Sequence, residues 1–193
     1  MPLSPRFEEA LQWTAQLHAD QRRKMSNTPY VGHLLAACAT VLAHGGDEDV
    51  AIAALLHDAV EDQGGAATRA EIARRFGERV AQIVDGCTDA TQTPKPPWRE
   101  RKEAHLTRLA HASAAVCLVE AADKLDNLRA LVREYRRLGP AMWSHFRGGR
   151  DGTLWYYRAM LDVIRRAAPP DLAEELDHAL AQLEQAVARG EES

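Results

Sequence analysis

Between Val50 and Val60 the chain reads VAIAALLHDAV, a run in which His57 and Asp58 are the only polar side chains. A segment this apolar has to be buried, and a carboxylate buried without a partner is strongly destabilising. Any fold open to the chain must therefore bring other polar groups to this pair. Glu61 and Asp62 follow within the next turn, completing the stretch ALLHDAVEDQGG.

Alternating β-branched runs, the mark of strands, are nearly absent, and helix signals recur along all 193 residues. Ser4-Pro5 joins an N-cap to a first-turn proline and predicts a helix to about Asp20. Thr28-Pro29 repeats the pattern and predicts a second helix, ending at Gly45-Gly46. Asp47 caps a third, which carries the polar pair and stops near Gly64-Gly65. Shorter helices are expected over 68–76, with Glu71 as capping-box partner of Thr68, and from about Glu78 to Val84. Residues 85–98, DGCTDATQTPKPPW, are the longest loop candidate. Helices over about 98–110 and 113–137 follow, then a short one over 141–147 flanked by Gly139-Pro140 and Gly148-Gly149. Two closing helices, 151–167 and 170–188, complete the expectation. It is an all-α, single-domain bundle of about nine to ten helices over 1–193, with its core in about 5–165 and a C-terminal helix at 170–188.

The net charge of −4 argues against a nucleic-acid polymer as partner. No apolar run approaches the roughly 18 residues that span a bilayer, so no membrane association is expected, and MPLSPRFEEA has no signal-peptide core. Cys38, Cys87 and Cys117 are scattered without CxxC pairing, which suits reduced core thiols and a cytoplasmic location. The LWYYRAML stretch reads as core before it reads as a dimer seam, and no pattern encodes the oligomeric state.

Two further helices offer company for the pair. His33 is the only ionisable group in YVGHLLAACA. Asp123, in VCLVEAADKLDNLRAL, stands at +4 from Val119 and +7 from Val116, on the apolar stripe, with Asn127 one turn later. A lone inward histidine is more often a hydrogen-bonded core residue than a ligand. A lone Asp123 could equally form a salt bridge with Arg129. Four such interruptions on three apolar helices are harder to explain separately. Two imidazoles and two carboxylates suit manganese, iron or zinc better than calcium. Adjacent helical residues project about 100° apart, so His57 and Asp58 can meet one ion only at a helix end, which Gly64-Gly65 supplies. Glu61 and Asp62, each four residues after a member of the pair, can take a proton from water and pass it to a leaving group. Taken alone they would be a solvated helix end.

The order H…HD…D resembles the HD-domain metal-dependent phosphohydrolases. The segments RRKMSNTPYVGH, ALLHDAVED and ADKLDNLRAL are similar to the hydrolase domain of the RelA/SpoT proteins and to stand-alone small alarmone hydrolases. That resemblance implies one divalent ion, usually manganese, held by His33, His57, Asp58 and Asp123, with Glu61 and Asp62 as the catalytic pair. It implies a nucleotide substrate contacted by Arg23, which stacks on the purine, by its neighbour Lys24, and by Asn127. Trp143, Arg147 and Tyr156 fall where the family places further substrate contacts, in a register that Gly148-Gly149 could shift by insertion. The implied reaction removes the 3′-pyrophosphate of ppGpp or pppGpp, giving GDP or GTP and pyrophosphate. One departure is Ala130, where the family often carries a threonine, which bears on base preference and not on the metal chemistry. Arg22 could also take the part of Arg23.

Three other readings compete. An HD phosphohydrolase could act on ppApp, a nucleoside monophosphate or the 2′-phosphate of NADPH with the same ligands. His105 and His111 could serve a second metal, although six residues apart they share a helical face poorly. A catalytically silent nucleotide sensor would be expected to have lost a ligand or the Glu-Asp pair, and neither is missing.

Overall fold

The computed structural model describes residues 3–89, 94 and 96–191. Among them are ten α-helical segments and one 3₁₀ segment, and the only bridge pairing is an isolated one between Arg22 and Pro29. The helices are α1 (Pro5–Leu17), α2 (Val31–Ala43), α3 (Glu48–Leu56), α4 (Ala59–Asp62) and α5 (Ala66–Phe76). They continue as α6 (Glu78–Cys87), α7 (Trp98–Leu109), α8 (Ala114–Leu138), α9 (Gly149–Ile164) and α10 (Pro170–Glu191), with the 3₁₀ segment Gly139–His145 ahead of α9. The fold is all-α.

The longest helix, α8, is the hub: α2, α3, α6, α9 and α10 all pack against it. Its N-cap is Ser113, whose side chain accepts from Val116 N. The sequence explains α3 equally well. Asp47 accepts from Val50 N at 3.1 Å, and every residue from Val50 to Leu56 is buried. A helix apolar all round is covered on every side, and α3 meets α1, α2, α6 and α8.

Three boundaries differ from expectation. Thr28-Pro29 does not start α2, which begins at Val31 behind Tyr30. The Thr28 hydroxyl pairs with Ser26 instead, and Thr28 O accepts from Arg23 N at 3.0 Å. Residues 22–29 thus fold back as a tight loop whose reversal puts Asn27 at φ +55°. The third helix does not run to Gly64-Gly65; it stops at Leu56, immediately before the polar pair. Thr68 and Glu71 do not form a capping box. The Thr68 hydroxyl donates to Gln63 O at 2.6 Å, and Glu71 pairs with Arg74 and Arg75. Gly65, at φ +61°, takes the N-cap position.

The expected 85–98 loop is shorter at its start, because α6 continues to Cys87; its positions 90–93 and 95 lie outside the described residues. Gly148 is no loose insertion. A Cβ there would lie 2.6 Å from the Trp98 ring, so the glycine lets α7 and the start of α9 approach closely.

Candidate metal and nucleotide site

The helix break at the polar pair is what makes the pair usable. α3 ends at Leu56, Asp58 takes φ −96° and ψ −5°, and the single turn α4 starts at Ala59. This bridge-region backbone redirects the chain between two adjacent side chains. They converge instead of diverging. His57, His33 from α2 and Asp58 offer ligand atoms that all lie within 4.8 Å of one another. Asp123, from α8, brings Oδ1 to 3.1 Å from His33 Nε2 and 3.7 Å from His57 Nε2. Asp58 Oδ2 lies 3.8 Å and 3.2 Å from the same two nitrogens.

Each ligand candidate is held by a second contact on its far side. His57 Nδ1 donates to Ala54 O at 2.8 Å, and His33 Nδ1 donates to Asp126 Oδ2 at 2.8 Å. Carbonyl and carboxylate oxygens only accept, so both Nδ1 atoms carry hydrogen and both Nε2 atoms face the centre. Tyr30 donates its hydroxyl to Asp58 Oδ2. Lys124 pairs with Asp123 Oδ2, and Asn127 Nδ2 donates to Asp123 Oδ1 at 2.5 Å.

The charge at this centre asks for a cation. Burial opposes protonation of His57, yet Asp58 and Asp123 raise its pKa well above the ordinary value. Burial likewise opposes an imidazolium at His33, and Asp123 with Asp126 reverses that. Burial also works against the Asp58 carboxylate, and His57 overrides it, lowering its pKa. Meanwhile His33 Nε2 and His57 Nε2 are buried atoms that make no hydrogen bond among the described residues. Nitrogen lone pairs and carboxylates converging on one point form a donor set that fits a divalent ion. The histidines weighed for a second metal do not join them. His105 is buried against Glu120, and His111 is exposed and bonded to Thr107 O.

The site opens into a cleft of about 900 Å³. Glu61 and Asp62 line it, as do Arg23, Lys24, Asn127 and Arg147. Glu61 Oε2 accepts from Asp89 N at 3.3 Å, and Asp62 Oδ2 accepts from Gln21 Nε2 at 2.8 Å. Burial, with the charges of Asp58 and Glu61 adding to it, raises the Asp62 carboxyl pKa against the Gln21 hydrogen bond. Arg23 is ion-paired with Asp126, which ties the basic loop to the partner of His33. Ala130 forms part of the wall.

Trp143 and Tyr156 are not brought to the cleft. The 3₁₀ turn folds Trp143 inward, where it is buried against Tyr135 and Phe146 with ring centroids 5.8 and 5.9 Å away. Tyr156 is buried beneath the Lys102 ammonium, 4.6 Å from its ring centroid. Sequence reasoning missed Tyr30, Asp126, Lys124, Asp89, Arg101 and Lys102. Tyr30 and Asp126 stand three residues from His33 and Asp123, so helical spacing held a signal for them. Asp89 lay in the presumed loop and carried none.

A family model described as an HD domain matches residues 10–154. The chain is 39% identical over 176 residues to a guanosine-3′,5′-bis(diphosphate) 3′-pyrophosphohydrolase, MESH1, of Xenopus tropicalis, covering 88% of this chain and 90% of that protein. The protein of the same name from Drosophila melanogaster is 40% identical over 165 residues, covering 84% and 86%. A solved structure described as a metazoan ortholog of SpoT that hydrolyzes ppGpp superposes with a TM-score of 0.79. It is 32% identical, over 94% of this chain and 97% of that one.

Proposed function

The chain belongs to the HD-domain family, in its SpoT- and MESH1-like alarmone hydrolase branch, and from that premise we propose that it removes the 3′-pyrophosphate of (p)ppGpp. The HD domain and the His33, His57 and Asp58 cluster support metal-dependent phosphohydrolase activity. The observation that carries the reading is the pair of buried His33 and His57 Nε2 atoms that, without a hydrogen bond among the described residues, face Asp58 and Asp123, with His33 lining a cation-lined cleft.

In this reading His33, His57, Asp58 and Asp123 hold one divalent ion; the donor set suits manganese, iron or zinc, and the family resemblance points to manganese. When bound, it supplies Lewis-acid polarisation of a phosphoryl oxygen and makes water more acidic. Glu61 and Asp62 line the cleft beside the ligands and act as the acid-base pair. One carboxylate takes a proton from the attacking water as the water oxygen bonds to the phosphorus next to the ribose; the bond from that phosphorus to the 3′ oxygen breaks, and the 3′ oxygen receives the proton. Burial raises the Asp62 carboxyl pKa, a direction that favours its carrying the proton. Arg23, Lys24 and Arg147 offset substrate charge along the wall. Asn127 orients the Asp123 carboxylate as well as facing the cleft. The products are GDP from ppGpp and GTP from pppGpp, each with pyrophosphate.

Ala130 in the wall favours keeping a second substrate in view, since it offers no hydroxyl to a base. A manganese-dependent screen of ppGpp, ppApp and NADPH with product identification tests both. Release of pyrophosphate from ppGpp is the expected result. Turnover of NADPH alone, or no turnover of any 3′-pyrophosphorylated nucleotide, overturns the proposal.

A further inference from the structure

Arg101 and Lys102 line the same cleft as His33 and Glu61 but touch none of the metal-ligand candidates. Both pair with one atom, Asp89 Oδ2: Arg101 through Nη1, and Lys102 Nζ at 2.9 Å. The side chains of Arg101 and Asp89 are each only 10% exposed. Even so, Arg101 Nε and Asp89 Oδ1 have no hydrogen-bond partner among the described residues. A guanidinium presents its N–H groups as a fork matched to two oxygens of one anion. Here Nη1 is engaged, while Nε, on another edge of the guanidinium, is idle. An idle buried donor is costly, and the carboxylate leaves its own second oxygen idle beside it.

We propose that Arg101 and Lys102 form an anion site for a phosphate group of the substrate, occupied in the free protein by the Asp89 carboxylate, which that phosphate displaces. The inference rests on the phosphohydrolase reading of the cleft. With Asp89 displaced, a phosphate has enough terminal oxygens to take the Nε–Nη2 edge of Arg101, on which Nε is idle in the free protein, and Lys102 Nζ as well. Asp89 can yield its place without moving the main chain. Arg108 Nη2 holds Thr88 O at 3.2 Å and Asp89 O at 2.9 Å, so only the side chain must swing. Burial and the nearby Lys124 charge push the Lys102 pKa down despite Asp89, so further negative charge here is favourable. The Tyr156 ring supports the Lys102 ammonium from beneath, which accounts for a tyrosine that the cleft itself does not use. The Asp89 N–H to Glu61 contact sets the anion site next to the acid-base pair.

The occupant is either the departing pyrophosphate or the 5′-phosphate chain of the nucleotide. Titration calorimetry of inorganic pyrophosphate into the manganese-loaded full chain tests the site whichever nucleotide is hydrolysed, so it stands apart from the substrate assignment. Arg101→Gln is expected to weaken pyrophosphate binding about tenfold, the loss of one charge-assisted hydrogen bond. Asp89→Asn is expected to tighten it several-fold, because the resident anion is weakened. A misfolding variant weakens binding in both cases, so the opposite signs are diagnostic. Arg101→Lys, which keeps the charge but not the fork, should fall between. Equal affinity in all four proteins overturns the proposal, and so does weaker binding in Asp89→Asn. KM then identifies the occupant. A rise in Arg101→Gln for 3′-pyrophosphorylated substrates with and without 5′-phosphates assigns the departing group. A rise only for those bearing 5′-phosphates assigns the 5′ chain. No rise for either overturns the site.

Discussion

Among the described residues two buried clusters combine histidine with carboxylate, and they differ in one respect. In the first, His105 Nε2 lies 3.2 Å from Glu120 Oε2, and its Nδ1 faces Arg108 Nη2 at 3.5 Å. Lys124 Nζ lies 3.1 Å from Glu120 and also pairs with Asp123. Both imidazole nitrogens are engaged and each charge has a counter-charge. In the second, His33 and His57 spend Nδ1 on fixed acceptors and leave Nε2 facing a shared centre with no hydrogen bond. Burial does not separate the two, since all three histidines are at most 3% exposed. The unused nitrogen does. The closed cluster ties α7 to α8, whereas the open one is built for a cation, and Lys124 joins them through Asp123.

The largest expected effect attacks the open cluster. His57→Ala should lower hydrolysis by at least about 10³-fold and reduce bound manganese, measured by elemental analysis, to a small fraction of one ion per chain. A variant that kept its ion would show the cluster is not open in the sense argued. The closed cluster should respond in the opposite currency. Glu120→Ala strips His105 of its carboxylate and leaves Lys124 with Asp123 alone, a loss of about 3–5 kcal/mol, and Tm should drop by about 6–20 °C while metal stoichiometry is retained. Loss of the ion together with the stability would merge the two clusters into one. Asp126→Asn is milder. It weakens the partner of His33 Nδ1 and should reduce manganese affinity by about 10–100-fold, read by titration.

The smallest effect is on pH. In the metal-free protein the His57 pKa is raised, so its stabilising contribution is full below the unfolded value near 6.5 and is lost as pH climbs through the native value. Metal-free Tm should therefore fall between pH 6 and pH 9, by about 2–4 °C for each kcal/mol lost. Saturating manganese should flatten the slope, because proton and ion compete for the same nitrogens. An unchanged slope with metal bound would separate the proton site from the ion site.

Much of the helical order was readable because capping and breaking chemistry are local. Asp47, Ser113 and Gly139 act where their types suggest. The two misplaced caps, Thr28 and Thr68, failed because their hydroxyls found closer acceptors or donors in loops that no local pattern specifies. The four ligand candidates stood out as polar interruptions of apolar helices, a contrast that one sequence displays by itself. Trp143 and Tyr156 were placed by likeness of register alone. A 3₁₀ turn and the Gly148–Trp98 approach rotate that region so that both rings pack inward.

The sequence by itself determined that helices would form, which faces they would bury, and that the interior would hold histidines and carboxylates needing partners. These are consequences of hydropathy period and desolvation, which act residue by residue. Only the tertiary structure decided that the chain would break between Leu56 and Ala59, that His33 and His57 would bring Nε2 to Asp58 and Asp123 at one centre while His105 is tied to Glu120, and that Asp89 would occupy the cations of the cleft. Each of those outcomes depends on which atom of a side chain finds a partner from a distant helix. That is settled by packing geometry over long separations, about which the local pattern is silent.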